Sequence, residues 1–237
     1  MIYKNGNRRI LVNSQLSEQE TQEIVRKVEN KDFQLVEVLK DHSRSRVLRI
    51  ALNNLDLVLK VPIEKNKKPW IRFLTIFRKS EAFKNLMGMR FLSTLGFKTT
   101  NGYLACEYRN WGMVTDSWVL YFFLKAQECL DQNPTFTRVV HALGQLHKKD
   151  VLHGDAQIRN FLISEGEIYF IDANPKKSRS ALAKAHEYAY LKRSQPDIEP
   201  LFPSTIKYYK LAVRLDIFDR KVARLRRTIK KITGLRN

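Results

Sequence analysis

The 237-residue chain is poor in cysteine, in acidic residues and in long apolar runs. Its two cysteines, Cys106 and Cys129, cannot build a disulfide framework, and neither a C-x-x-C pair nor a Cys/His zinc spacing occurs. A reducing compartment is expected, with both thiols as core residues. The longest apolar run, Trp118 to Leu124, falls far short of the roughly 20 residues a membrane-spanning helix needs. Met1 to Asn13 is polar, carries Lys4, Arg8 and Arg9, and leads into no apolar stretch, so no signal peptide is expected. There is no internal repeat and no low-complexity linker. Asp and Glu number 24 against 43 Lys and Arg, a net charge of +19. Such a surplus says nothing of fold but implies attraction to polyanions: nucleic acid, anionic lipid or phosphorylated glycan. Hydrophobic residues make up 43%, enough for a core, so disorder is not the default.

The pattern along the chain predicts a strand-rich first third followed by helices. Ser17 to Asn30 reads as a helix, with Glu18, Glu20 and Glu23 near its start, where acidic groups suit the helix dipole. Phe33–Lys40, Arg46–Leu52 and Leu55–Val61 read as strands, separated by the polar turn Asp41–Ser45 and by Asn53-Asn54. Ile63 to Lys84 is a basic segment with interleaved aromatics. A helix over Glu81–Leu95 stops at Gly96, a natural cap. Strands follow over Tyr103–Tyr108 and Ser117–Leu124, then a helix over Pro134–Lys149 with an apolar stripe of Val139, Leu143 and Leu146. Two short strands, Asn160–Ile163 and Ile168–Ile171, flank a turn at Gly166. From Ser178 the chain is helical, broken around Pro196, Pro200 and Pro203.

The informative stretch runs from Val151 to Ile163. It holds His153-Gly154-Asp155, an asparagine five residues after the aspartate (Asn160), and an apolar strand; a second strand ends in Ile171-Asp172. This resembles the kinase catalytic loop H-x-D-x-x-x-x-N followed by the metal-binding aspartate of the DFG position. Phosphoryl transfer needs a carboxylate on a fixed loop to orient a hydroxyl and accept its proton, which assigns Asp155. It needs hard oxygen ligands for Mg²⁺ beside the ATP phosphates, which assigns Asn160 and Asp172. The hairpin around Gly166 is expected to bring those two together, with His153 as a buttress. Upstream, Val58-Leu59-Lys60-Val61 resembles the V-A-I-K strand. Lys60, the single lysine of a mostly apolar strand, would hold the α- and β-phosphates, since burying an ammonium without an anion is costly. Glu81 is the expected ion-pair partner of Lys60. Taken alone, Lys60 reads as a solvent-facing strand residue and Glu81 as a solvated helix residue.

Three departures from the protein-kinase pattern stand out. No G-x-G-x-x-G occurs; at that turn stand Ser43, Arg44 and Ser45, whose amides and guanidinium are the candidates to cover the phosphates. The DFG position reads Asp172-Ala173-Asn174, and HRD reads His153-Gly154-Asp155. No A-P-E element follows. The H-G-D form suits kinases of small molecules and glycans.

Together with the block from Arg78-Lys79-Ser80-Glu81 to Leu95-Gly96-Phe97, these motifs resemble the lipopolysaccharide kinase family, nearest to core heptose(II) kinases of the RfaY/WaaY type. The resemblance runs from about Val36 to Asp172. It implies an α+β, bilobal protein-kinase-like fold in one domain: a small β-rich N-lobe through the hinge (1–124), a helical C-lobe with the catalytic loop (125–203) and a basic C-terminal helix (204–237). It also implies ATP- and Mg²⁺-dependent phosphorylation of a heptose of the lipopolysaccharide core, at the cytoplasmic face of the inner membrane.

The tail fits that setting. Leu211, Leu215, Phe218, Val222, Leu225, Ile229 and Ile232 form one helical stripe among Lys207, Lys210, Arg214, Arg220, Lys221, Arg224, Arg226, Arg227, Lys230 and Lys231. A basic amphipathic helix suits an anionic membrane surface; the same stripe could equally pack on the C-lobe. His141 and His147 read as helix residues without chemistry. Other readings are a kinase for another acceptor of Kdo or aminoglycoside type, a pseudokinase, or a polyanion-binding protein. Nucleic acid is not an expected partner, for want of a recognition helix or stacking sheet.

Overall fold

The computed structural model describes residues 1–13, 16–130 and 133–232. It divides into two compact units: Met1–Ala126 with Tyr169–Asp172, and Gln127–Ile168 with Ala173 onward.

In the first unit the strands are β1 (Ile2–Asn5), β2 (Arg8–Val12), β3 (Gln34–His42), β4 (Ser45–Leu52), β5 (Leu55–Val61), β6 (Gly102–Asn110) and β7 (Met113–Phe122). They form one antiparallel sheet in the order β1-β2-β6-β7-β5-β4-β3. The helices are α1 (Glu18–Glu29), α2 (Ile63–Lys67), α3 (Pro69–Leu74) and α4 (Glu81–Thr94). Strand alternation sorts the core into two layers. Ile10, Leu104, Trp118, Leu120, Leu57 and Leu59 cluster with Ile24, Val25 and Val28 of α1. Leu11, Ala105 and Val119 cluster with Ala82, Phe83 and Leu86 of α4.

Local sequence explains the boundaries. Ser17 caps α1 with a reciprocal box, its hydroxyl accepting from the Glu20 amide while the Glu20 carboxylate accepts from the Ser17 amide. Ser80 caps α4 by accepting from the Phe83 amide at 3.2 Å. Asn53-Asn54 and Trp111-Gly112 all take positive φ, the geometry of tight two-residue hairpins.

The expected elements occur with shifted ends, and several features were not foreseen. The polar N-terminus forms the β1–β2 hairpin, turned at Gly6 (φ +57) and burying Ile10, Leu11 and Val12. The basic segment after β5 folds into α2 and α3. The edge strand β3 leaves Leu35, Val36, Val38 and Leu39 exposed, and its register with β4 is broken by bulges between Leu35 and Glu37 and between Val38 and Lys40.

The second unit holds β8 (Gln127–Glu128), α5 (Asn133–Lys148), β9 (Val151–Leu152), β10 (Phe161–Ser164), the start of β11 (Glu167–Phe170), β12 (Lys176–Lys177), α6 (Ala181–Ser194) and α7 (Tyr209–Ile232). Short antiparallel pairs join β10 to β8 and β12 to β9. Helix α5 buries Phe136, Val139, Val140, Leu143 and Leu146. A short 3₁₀ turn at Pro196–Leu201 separates α6 from α7.

Helix α7 packs through its small residues. Ala212 sits with Ala185 and Ala189 of α6, and Asp216 pairs with Arg193 at 2.7 Å. The apolar stripe of the tail is not what packs: Leu211, Leu215, Phe218 and Leu225 are exposed. Residues 233–237 and the side chains of Arg226, Arg227, Ile229, Lys230, Lys231 and Ile232 lie outside the described residues.

Candidate active site

In the second unit the loop His153-Gly154-Asp155 leaves β9 and is held from behind by one acid of α6. The Glu187 carboxylate accepts from the His153 amide at 2.9 Å and the Gly154 amide at 2.6 Å, and meets His147 Nε2 at 2.8 Å. Burial alone would raise the Glu187 pKa. The hydrogen bonds from His147, Gly154 and His153 outweigh that, and the net shift is downward. The carboxylate is therefore the stable form and the loop backbone is fixed to it.

The glycine of this loop has a steric reason. Gly154 has φ +86, and a Cβ placed there would lie 2.2 Å from the carbonyl oxygen of Asn174. The Asn174 amide in turn donates to the His153 carbonyl at 2.9 Å. The backbone at Asn174 occupies the space that a larger residue at 154 would need, so Gly154 and Asn174 are two sides of one contact.

Asp155 is held on both oxygens. Gln157 Nε2 donates to Oδ1 at 2.7 Å, and Asn160 Nδ2 donates to Oδ2 at 2.9 Å and to the Asp155 carbonyl at 2.8 Å. Asn160, nearly buried, thus turns its amide nitrogen to Asp155 and keeps Oδ1 as a hard oxygen donor. Tyr190 adds its hydroxyl to Gln157 at 3.1 Å. His153 is fully buried against Phe161.

In the first unit, Lys60 lies on β5 opposite Val47 of β4 and Val119 of β7, on the sheet face that carries α4. Its side chain is 12% exposed, and its ammonium forms an ion pair with Asp172. The segment Tyr169–Asp172 belongs to this unit: the Phe170 amide donates to the Lys98 carbonyl at 3.0 Å, and Thr99 Oγ1 donates to the Phe170 carbonyl at 2.8 Å. Asp172 takes φ +52, a left-handed conformation that aspartate tolerates better than most residues. Asp172 can offer a metal the oxygens Mg²⁺ prefers. Among the described residues no group of three or more His, Cys, Asp or Glu is placed to hold a metal ion.

The ion pair expected between Lys60 and Glu81 is not the one formed. Glu81 opens α4 and pairs with Lys65 of α2 at 2.7 Å. The turn meant to cover phosphates is partly committed to itself. His42 Nδ1 accepts from the Arg44 amide at 3.2 Å and the Ser45 amide at 3.4 Å, while the exposed Arg44 guanidinium stands 3.7 Å from Glu64.

Glu187, Gln157 and His147 were missed as site residues. Glu187 lies over thirty positions beyond the amides it binds, so no spacing rule reaches it. One signal was present: a lone acid among Ala185, Tyr188, Ala189 and Leu191, which are all buried. A carboxylate survives there only if hydrogen-bonded.

Residues 1–234 match the protein family described as lipopolysaccharide core biosynthesis protein (WaaY). Among solved structures, one described as WaaP in complex with acyl carrier protein resembles this chain with a TM-score of 0.51 and 16% identity, over 97% of this chain and 100% of that one. At that identity the likeness concerns the fold, an α+β fold of the protein-kinase-like class. No curated protein matches the sequence.

Proposed function

The chain belongs to the WaaY family of lipopolysaccharide core biosynthesis proteins, and from that premise we propose that it transfers the γ-phosphoryl group of ATP to a heptose hydroxyl of the inner core. The observation that carries this reading is the setting of Asp155: a carboxylate clamped by Asn160 and Gln157, on a loop whose amides are pinned by Glu187. A fixed carboxylate on a loop of this kind orients a hydroxyl and accepts its proton.

Asp155 acts as base toward the acceptor. Asn160 Oδ1 and the Asp172 carboxylate are the oxygens that would hold Mg²⁺, which neutralises charge developing on the phosphates. Lys60 already meets one anion, Asp172, and a phosphate oxygen presents it with the same chemistry. Glu81 acts through Lys65 in ordering the start of α4. The turn of Ser43, Arg44 and Ser45 is assigned to the outer phosphates, with the exposed Arg44 as its cation. Gly154 and Glu187 position the loop without touching the reactants.

The acceptor would be lipid-anchored and anionic. The charge of +19 suits it, and argues against a cationic acceptor of the aminoglycoside type. Retention of Lys60, Asp155, Asn160 and Asp172 argues against a pseudokinase. No described helix is long and apolar enough to cross a membrane, whereas α7 exposes Leu211, Leu215, Phe218 and Leu225 beside Lys210, Arg214, Lys221 and Arg224. We therefore place the protein peripherally at the cytoplasmic face of the inner membrane.

The test is genetic and chemical. Mass spectra of core oligosaccharide from a deletion strain should lack one phosphate, which the wild-type gene restores and Asp155→Asn does not. An unchanged spectrum in the deletion strain would remove the core as acceptor.

A further inference from the structure

Residues 63–79, between β5 and α4, are built inside out. Their most buried members are polar: Asn66 at 8% and Thr75 at 8% exposure. Four of their apolar members face solvent, Trp70 at 68%, Phe73 at 47%, Ile76 at 41% and Phe77 at 81%, while Ile63, Ile71 and Leu74 are half-buried. The Trp70 and Phe73 rings stack with centroids 5.8 Å apart.

Polar anchors to β6 and β7 enforce this orientation. Asn66 Nδ2 donates to Asp116 Oδ1 at 2.6 Å and to the Ser117 carbonyl at 3.0 Å, and Asn66 Oδ1 accepts from Ser117 Oγ at 2.9 Å. Thr75 Oγ1 accepts from the Val114 amide at 2.7 Å. The Arg109 guanidinium, held at 2.7 Å by the buried Glu107, donates to the Thr75 carbonyl at 2.9 Å and the Gly112 carbonyl at 2.7 Å. That one guanidinium ties the end of α3 to the β6–β7 hairpin tip, where Trp111 is 87% exposed. Rolling the segment over to hide its aromatics would strip these buried groups of their partners, a larger cost than the exposure it relieves.

Cations surround the aromatics. Lys65, Lys67, Lys68, Arg72, Arg78 and Lys79 fall in the segment, against a single acid, Glu64. With Trp70, Phe77 and Trp111 at 68%, 81% and 87% exposure, these rings project from the surface.

We propose that this face of the first unit docks on an anionic phospholipid bilayer. Trp70, Phe73, Phe77 and Trp111 enter the boundary between headgroups and acyl chains, and the lysines lie on the lipid phosphates. Tryptophan favours that boundary, where its ring is both apolar and a hydrogen-bond donor. Binding of this kind grows with buried apolar area and with cation count. A fluid bilayer accepts projecting rings without a matched surface, whereas a single-stranded nucleic acid needs them as a stacking platform along a groove. The inference rests on the proposed function for its purpose, bringing a kinase to a lipid-anchored acceptor, but its test is separate.

Full-length protein is sedimented with phosphatidylethanolamine–phosphatidylglycerol vesicles and with phosphatidylcholine vesicles, and tryptophan emission is read with brominated acyl chains. The expected result is binding to the anionic vesicles and quenching of Trp70 and Trp111, with Trp118 protected by its burial. The variant carrying Trp70→Ser, Phe73→Ser, Phe77→Ser and Trp111→Ser should lose about tenfold or more in partition. Lys67→Glu and Lys68→Glu should each lose about fivefold. The four-site variant should phosphorylate delipidated core oligosaccharide as well as wild type does. Absence of quenching in the wild type, or equal partition of the four-site variant, overturns the proposal. So does loss of activity on the soluble acceptor with vesicle binding intact, which would make these residues acceptor contacts. Quenching in a protein that transfers no phosphate would leave the docking surface standing and sink the kinase reading alone.

Discussion

At residue scale the site depends on two positions that touch no reactant. Gly154→Ala places a methyl 2.2 Å from the Asn174 carbonyl and forces φ +86 on an L-residue. The loop must shift, and a displacement near 1 Å costs about 100-fold in kcat; steady-state kinetics with KM little changed would show it. Glu187→Ala strands two amides and His147, so denaturant melts should lose about 3 kcal/mol. The same acid sets a pH dependence. Its folded pKa lies below the ordinary 4.5, so near that value the unfolded chain binds more protons. Its contribution is complete above pH 4.5 and is lost as pH falls through the lower folded value. Melts along that limb should be flatter for Glu187→Gln. Asp155, Asn160, Lys60 and Asp172 could be proposed from the sequence because local spacing alone singles them out. Glu187 was not, because its partners are distant in the chain. The pairing of Glu81 was drawn from the kinase pattern, and nothing local to Glu81 revealed that Lys65 forms the ion pair instead.

At the scale of elements, what the sequence revealed tracks how strongly each segment is amphipathic. Helices α1 and α5 and strands β4 to β7 carry clean periodicities and lie where expected. The β1–β2 hairpin was hidden because β1 buries almost nothing and only Ile10, Leu11 and Val12 of β2 reach the core. Segments α2 and α3 were hidden for a different reason: they are short, and their aromatics Trp70 and Phe73 are exposed while Ile63, Ile71 and Leu74 are only half-buried, so no clear helix face shows. In α7 the visible stripe misleads as well, since small Ala212 makes the close contact with α6 and the larger leucines stay exposed. The cap of α1, where Ser17 shares a reciprocal box with Glu20, gives a direct test. Ser17→Ala should lower stability by about 1 kcal/mol in a denaturant titration, with activity retained.

At the scale of the whole molecule the charge of +19 makes copies of the chain repel one another and so favours solubility. That matters because of the edge strand β3. An edge strand, paired only with β4 and with Leu35, Val36, Val38 and Leu39 exposed, is a template on which a second chain could zip. Two bulges spoil the template by throwing Val36 and Leu39 out of register. Deleting either residue would straighten the ladder. Such a variant should form thioflavin-positive fibrils in concentrated salt, where mutual repulsion is screened, while the parent stays clear. The bulges thus act as a storage safeguard: they set how concentrated, and at what ionic strength, this protein can be kept in a tube or a crowded cell before it gels.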